Sequence, residues 1–280
     1  MKTRNKRKFL GSLFASLGCI LIGLVILFPL LYGFFGSFKS AREFASFPPT
    51  FFPKSMGYLD NYAAVFQQVP VGRFYLNSLI VAVATAAVRL VIATLAAYAF
   101  AFFEFRGKQF LFIFLLGTMM LPADTLLITN YQTISHLGLL DTYLGMCIVS
   151  FVGASQMFMF RQRFKSSPVA LREASQLDGC GDLRFIVSVL APTSWPLMVT
   201  LFLQSFVASW NTYLWPLLVT NTNEMRTIQV GVTMLTSIEA TNYETILAGV
   251  TVALLPAIVF FIILRRSMTG AMSSGGSLVG

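Results

Sequence analysis

Charge is what this chain has least of. Charged residues fill 11% of its 280 positions, against about 25% in a soluble globular chain. A water-facing surface cannot be built from so few, which excludes a soluble enzyme, a nucleic-acid-binding domain and a disordered chain. Acids are the scarcer sign, eleven against twenty Lys and Arg, for a net +9. Histidine occurs once, as His136, and cysteine three times. Cys19 and Cys147 stand in apolar runs and Cys180 in a polar loop, a spacing that suggests neither a disulfide nor a metal site. No metal and no cofactor is expected. There is also no G-x-x-x-x-G-K-[ST], so the chain cannot cradle ATP phosphates itself. What is plentiful is apolar: 56% hydrophobic side chains, 28 phenylalanines and a mean hydropathy of +0.74. That composition fits an all-α polytopic membrane protein embedded in lipid.

A bilayer core asks for about 20 consecutive apolar residues per helix. Six segments qualify, roughly Ser12–Phe35, Phe74–Phe102, Phe110–Thr129, Tyr143–Phe160, Trp195–Val219 and Thr245–Leu264. Six spans put both termini on one side, and the positive-inside rule decides which. With the N-terminus inside, fourteen cations are cytoplasmic, among them Lys2, Arg4, Lys6, Arg7 and Lys8, then Arg161, Arg163, Lys165, Arg172 and Arg184. Only Lys39, Arg42, Lys54, Arg73 and Arg226 fall outside. The reading is six transmembrane helices, N-in and C-in. Residues 1–11 form a basic cytoplasmic tail, 12–266 the membrane domain and 267–280 a Gly/Ser-rich cytoplasmic tail. The first segment has a basic start like a signal peptide. Its apolar stretch is too long for one and lacks a small-x-small exit, so it reads as an uncleaved anchor.

Two outside pieces are long enough to matter. Gly36–Gly72 is too proline-broken for one long helix, and Asn221–Glu244 reads as an acidic, polar loop. The largest inside piece, about 161–194, says most. Ser167 followed by Pro168 predicts a helix start, with a capping hydroxyl and then proline in the first turn. Leu171, Ala174 and Leu177 share one face of the helix that follows. Asp178-Gly179 predicts its end, since glycine accepts a left-handed conformation. Asp182 can cap a second helix running to Pro192. On residues alone, this helix–turn–helix is either an amphipathic surface element or a docking site for a partner.

Glu173-Ala174-Ser175, two residues, Asp178-Gly179, then Pro192 and Pro196, resembles the EAA loop of permease subunits in binding-protein-dependent ABC importers. The likeness runs along nearly the whole chain. Asn77-Ser78, Ala96-Ala97-Tyr98-Ala99-Phe100, Gly138-Leu139-Leu140-Asp141-Thr142, Trp210-Asn211-Thr212-Tyr213-Leu214-Trp215-Pro216-Leu217 and Gly270 are similar to the carbohydrate-type, maltose-permease-like branch. Leu177-Asp178-Gly179-Cys180-Gly181 and the stretch after Trp215 look most like glycerol-3-phosphate permeases. Ser175 and Cys180 depart from the usual alanines, but both are small. The resemblance implies the type I ABC importer permease fold in a bacterial-type inner membrane. It implies a second homologous permease subunit, two ATP-binding subunits that hydrolyse ATP, and an extracytoplasmic solute-binding protein, with lipid around and no nucleic acid. It further implies that Glu173, Ala174, Ser175, Asp178 and Gly179 dock the ATPase. The solute would be a sugar or sugar-like molecule, glycerol-3-phosphate among the candidates.

Arg89 lies mid-span, where a charge needs a partner or water. It is read either as a cation beside the path or as a structural group paired with Asp124 or with a helix end of the second permease. Asn77, Gln156, Gln204, Ser209 and Asn211 are polar groups expected to bond between helices. Trp210, Tyr213 and Trp215 suit an aromatic belt at the membrane surface or stacking on a sugar, which makes Asn211 and Tyr213 path candidates with Arg89. His136 reads as a loop residue. The alternative class is an ion-coupled secondary transporter. Such a carrier needs mid-membrane carboxylates, and Asp124, near a span end, is the one candidate.

Overall fold

A computed structural model describes the chain over residues 2–238 and 242–275. Every element within them is helical. Glu239 and the side chain of Asp124 lie outside the described residues. The six apolar regions each hold helix, but in three different forms. Ser16–Gly36, within the helix Lys2–Gly36, and Val71–Phe102 are each long and apolar enough to cross a bilayer alone. Tyr143–Ser150 with Ala154–Lys165 and Asp182–Thr193 with Trp195–Asn211 reach that length and apolarity only as bent pairs, at 54° and 87°. The remaining two start from the shorter apolar helices Lys108–Thr118 and Tyr243–Pro256, the latter continuing past Pro256 to Gly275.

Several boundaries differ from the sequence reading, each for a local reason. Phe110–Thr129 is interrupted after Thr118, and Pro122, which has no N–H to donate, marks the break before helix resumes at Leu127–His136. Trp195–Val219 ends at Asn211, Thr212 turns extended, and Leu214–Val219 forms a separate short helix. Asn221–Glu244 is no open loop: Ile228–Ile238 is helical, with Ile228, Val230 and Leu235 buried. Its eleven residues are too few to register as a span, although their apolar spacing is helical.

The chain divides into two compact units. The first comprises Met1–Val71 and Val232–Leu255. Here the proline-broken stretch holds two short helices, Ala41–Phe44 and Asp60–Gln68. Asn61, buried, donates its amide to the carbonyls of Ser37 and Lys39, each at 2.8 Å, and so pins the chain where it leaves the first helix. Lys39 is itself buried, its ammonium donating to the Thr50 carbonyl and lying 5.6 Å from the Tyr32 ring. Gly249 packs with no room to spare, since a Cβ there would stand 2.4 Å from Cδ1 of the fully buried Leu235. Gly249→Val should therefore cost about 1–3 kcal/mol of overpacking. The expected outcome is a clear loss of membrane-inserted protein on an immunoblot, with Gly249→Ala in between.

The second unit comprises Gly72–Gly231 and Pro256–Gly280. Two cores line Val71–Phe102 toward its opposite ends. One gathers Val81, Ile134, Met146, Cys147, Trp215 and Val219. The other gathers Ala93, Ala97, Tyr98 and Phe100 with Phe160, Phe164, Phe185 and Leu190. Alanines recur on this helix where neighbours pack closest, with Ala82, Ala86 and Ala97 fully buried, as small residues do in helix contacts that lack a hydrophobic drive. Gln156, buried between helices, donates to the Leu201 carbonyl at 3.1 Å and to the Ser205 hydroxyl.

Candidate functional site

The loop helix spans Val169–Leu177. Its start differs from the expected cap. Pro168 occupies the N-cap position without a side-chain bond, and the Ser167 hydroxyl turns back to the Arg163 carbonyl at 3.4 Å. Pro168 sets the entry backbone, so the serine is not needed there. The helix ends as expected. Gly179 has φ +70°, its N–H donates to the Gln176 carbonyl at 3.0 Å, and the Cys180 N–H reaches the Ser175 carbonyl at 2.9 Å. Those two bonds make a Schellman turn, which satisfies the last carbonyls and fixes the exit direction. Asp178 is the C-cap residue.

No residue of this helix is buried. Glu173, Ala174 and Asp178 are exposed, Ser175 is half-buried, and Leu177 is 89% exposed. Glu173, Ala174 and Leu177 thus face away from the rest of the unit. Asp182 caps nothing. Gly181 takes the N-cap position of Asp182–Phe185, and the Asp182 carboxylate accepts from the Tyr98 hydroxyl. Arg172, which local sequence gave no reason to single out, donates to that same hydroxyl at 2.5 Å and lies 3.5 Å from Asp182. Tyr98 stands 74 and 84 positions before the other two, so only the fold brings it to them.

Arg89 is half-buried and bonds to the backbone of a neighbouring span. Its Nε donates to the Ser150 carbonyl at 2.6 Å, and its stem lies 3.1 Å from where a Cβ on Gly153 would sit. Both contacts fall at the 54° break between Tyr143–Ser150 and Ala154–Lys165, where carbonyls lose their helical partners. Trp210 and Trp215 are buried at 3% and 7% exposure, and the Trp215 indole donates to the Gly145 carbonyl at 3.2 Å. Two rings expected at the membrane surface are thus packing groups. Tyr213 remains 47% exposed and Asn211 is exposed, both at the break before Leu214–Val219. Gln204 is exposed and Ser209 half-buried.

At the end assigned to the outside, two motifs meet. Asp141, at φ +54°, accepts from the backbone N–H groups of Asn221 and Thr222 at 2.7 and 3.0 Å, and its own N–H donates to Val219. Partial burial works to raise its pKa, but the bonds from Thr222 and Asn221 outweigh that and hold the carboxyl below the usual range. Asn77, wholly buried, donates to the Glu224 and Arg226 carbonyls and accepts from the Tyr143 hydroxyl. At the other end Arg161 donates to the Phe100 carbonyl at 3.1 Å and Arg163 to Thr193 at 2.7 Å. In this unit, ends assigned to the outside bond with one another, and so do ends assigned to the cytoplasm. That pairing is what spans of alternating direction require.

Known proteins resemble this chain in sequence and in fold. Residues 89–270 match the family described as binding-protein-dependent transport system inner membrane component. The sn-glycerol-3-phosphate transport system permease protein UgpE of Brucella abortus is 31% identical over 275 residues, covering 95% of this chain and 96% of that protein. The arabinooligosaccharides transport system permease protein AraQ of Halalkalibacterium halodurans is 27% identical, covering 98% and 99%. A crystal structure of a bacterial ABC transporter involved in the import of the acidic polysaccharide alginate superposes with a TM-score of 0.77. It shares 23% identity and covers 91% of this chain and 96% of that one. The chain belongs to the family of binding-protein-dependent transport system inner membrane components: it is a multi-pass permease subunit of an ABC importer, and ATP hydrolysis is the work of separate subunits.

Proposed function

We propose that this permease forms, with a second homologous permease subunit, the path for a sugar or a sugar-like solute such as glycerol-3-phosphate. An extracytoplasmic binding protein delivers the solute, and two ATPase subunits drive its passage. The observation that carries the coupling half is the loop helix Val169–Leu177. It buries none of its own residues, presents Glu173, Ala174 and Leu177 outward, and stops at a left-handed Gly179. A short rigid peg with an unfilled face fits a groove on a partner. Glu173, Ala174, Ser175, Asp178 and Gly179 are its ATPase-docking residues. The solute class rests on the names of relatives that span the chain end to end, one an arabinooligosaccharide permease and others glycerol-3-phosphate permeases. Membership of this ABC importer family speaks for ATP-driven passage over an ion-coupled carrier.

Within the path, Asn211 and Tyr213 are the side chains offered to solute. Arg89 is assigned to bracing the bent span, because the carbonyl freed at the bend already holds its guanidinium. Glu173→Lys tests the docking surface. The substitution sits on an exposed turn, so insertion should be unaffected. Co-purification of the ATPase with the permease should fall by roughly tenfold or more, the scale on which truncating or reversing an interface charge acts. Wild-type recovery of the ATPase would remove Glu173 from the interface. Uptake of radiolabelled sn-glycerol-3-phosphate and of arabinooligosaccharides into cells carrying the full importer separates the solutes.

A further inference from the structure

The loop helix poses a mechanical question: with no buried residue of its own, what ties it to the membrane helices? Its apolar side leaves a gap. Pro168 and Leu171 border a cavity of about 110 Å³ whose far wall includes Phe185, Val189 and Leu190. Contact is instead concentrated at Arg172. Its guanidinium carbon lies 4.6 Å from the Phe102 ring centre, 5.4 Å from Tyr98 and 5.9 Å from Phe185. One nitrogen donates to the Tyr98 hydroxyl and another faces the Asp182 carboxylate, while Tyr98 donates to that carboxylate in turn. The Arg172 side chain is 20% exposed and Tyr98 is 3% exposed. An ion pair at 3.5 Å, half in solvent, would hold little by itself. A planar cation stacked among three rings and bonded to a buried phenol holds direction as well as position.

We propose that Arg172 is the positioning residue for force transmission, clamping the loop helix through Tyr98 and Asp182 to the cytoplasmic end of Val71–Phe102. Three elements meet at it: the loop helix, the long membrane helix and the start of the bent pair at Asp182. A push on the peg therefore moves the inner end of Val71–Phe102 directly, and the cavity beside Leu171 takes no part of the load. Tyr98 is the hinge pin. It belongs to the long helix, and both charged partners bond to its one oxygen. This rests on the docking reading above, since a loop that met no ATPase would have no force to transmit.

The test uses the whole importer, both permeases with the ATPases and the binding protein, reconstituted in liposomes. Spin labels at Gln176 on the loop helix and Leu95 on the long helix, both exposed positions, report the distance across the clamp. In the wild-type background one narrow distance should persist from the resting state to the vanadate-trapped ATP state. Arg172→Ala and Tyr98→Phe should broaden it in the trapped state. Stimulation of ATP hydrolysis by the binding protein, per assembled complex, should drop between about two- and thirtyfold. Arg172→Lys keeps the charge but not the fork or the stack, and should recover only part. ATPase co-purification should persist in all three, which separates a failed clamp from a failed dock. A wild-type distance that changes on trapping overturns the clamp. So do variants that merely assemble in smaller amounts while stimulation per complex stays at wild type. If Glu173→Lys leaves the ATPase bound while the Arg172 variants behave as expected, the clamp stands and the docking residues need reassignment.

Discussion

Asn77→Leu should lower the thermal midpoint of the detergent-solubilised permease by about 10 °C, read by size-exclusion chromatography after heating. The side chains are close in volume, so no cavity opens and the effect isolates the polar groups. Asn77 is wholly buried and serves three partners at once. Its amide donates to the Glu224 carbonyl at 2.7 Å and the Arg226 carbonyl at 2.9 Å, and its oxygen accepts from the Tyr143 hydroxyl at 2.7 Å. Glu224 keeps a second donor, Arg73 Nε at 2.9 Å, so that carbonyl survives the change. The change removes three bonds, at about 0.5–1.5 kcal/mol each, with the Arg226 and Tyr143 ends on half-buried residues. A total of about 2–4 kcal/mol in a chain this size corresponds to that shift. Neighbouring Ser78 accepts from the Ile228 N–H at 2.8 Å, so Ser78→Ala should show a smaller loss of the same kind. Asn77→Asp keeps an acceptor for Tyr143 and loses both donations, and should fall with leucine. An unchanged midpoint for Asn77→Leu would mean that water replaces every one of these bonds.

That Asn77 matters was visible only in outline. A polar residue at the start of an apolar run predicts an interhelical bond, such as the one from Tyr143, but its two carbonyl partners lie about 150 residues away, on a stretch that reads as an open loop. The stretch misleads because Ile228–Ile238 is too short to satisfy the bilayer criterion and is preceded by polar residues. The spans themselves are legible because a bilayer demands length and apolarity of each segment independently. Their breaks are less so: Pro122 announces one, whereas the bend at Ser150–Gly153 leaves only Gly153 as a trace. Trp210 and Trp215 show the limit from another side. An indole near a span end can anchor in headgroups or donate to a buried carbonyl, and the choice depends on which face the neighbouring helix covers. The helix Val169–Leu177 and its stop are the most legible part because the turn is local. The attachment of that helix through Arg172 is not, because Tyr98 stands 74 positions earlier.

Gly179→Val should abolish uptake while leaving the permease in the membrane at near wild-type levels. The glycine sits at φ +70°, and a Cβ added there would find nothing within 4 Å. Sterics against neighbours therefore contribute nothing, and the whole effect lies in the backbone. A left-handed residue with a side chain costs about 1–2 kcal/mol, and a β-branched one is disfavoured further. The chain can escape that cost by leaving the left-handed region, and it then loses the Schellman bonds from Gly179 to Gln176 and from Cys180 to Ser175. The exit from the helix swings, and with it the alignment of Glu173 and Leu177 to any groove. Leu177 and Asp178 are exposed, so the swing is opposed at the Arg172 contacts and at Cys180, which packs against the core, and not at the tip of the peg. Uptake should be lost and recovery of the ATPase on the permease reduced, with membrane levels holding, in contrast to Gly249→Val, where the bundle itself is strained. Asparagine tolerates the left-handed region best among residues with side chains. The expected order of uptake is therefore Gly, then Asn, then Ala, then Val. An order that instead tracks side-chain volume, with Asn below Ala, would put the constraint in the ATPase groove and not in the turn.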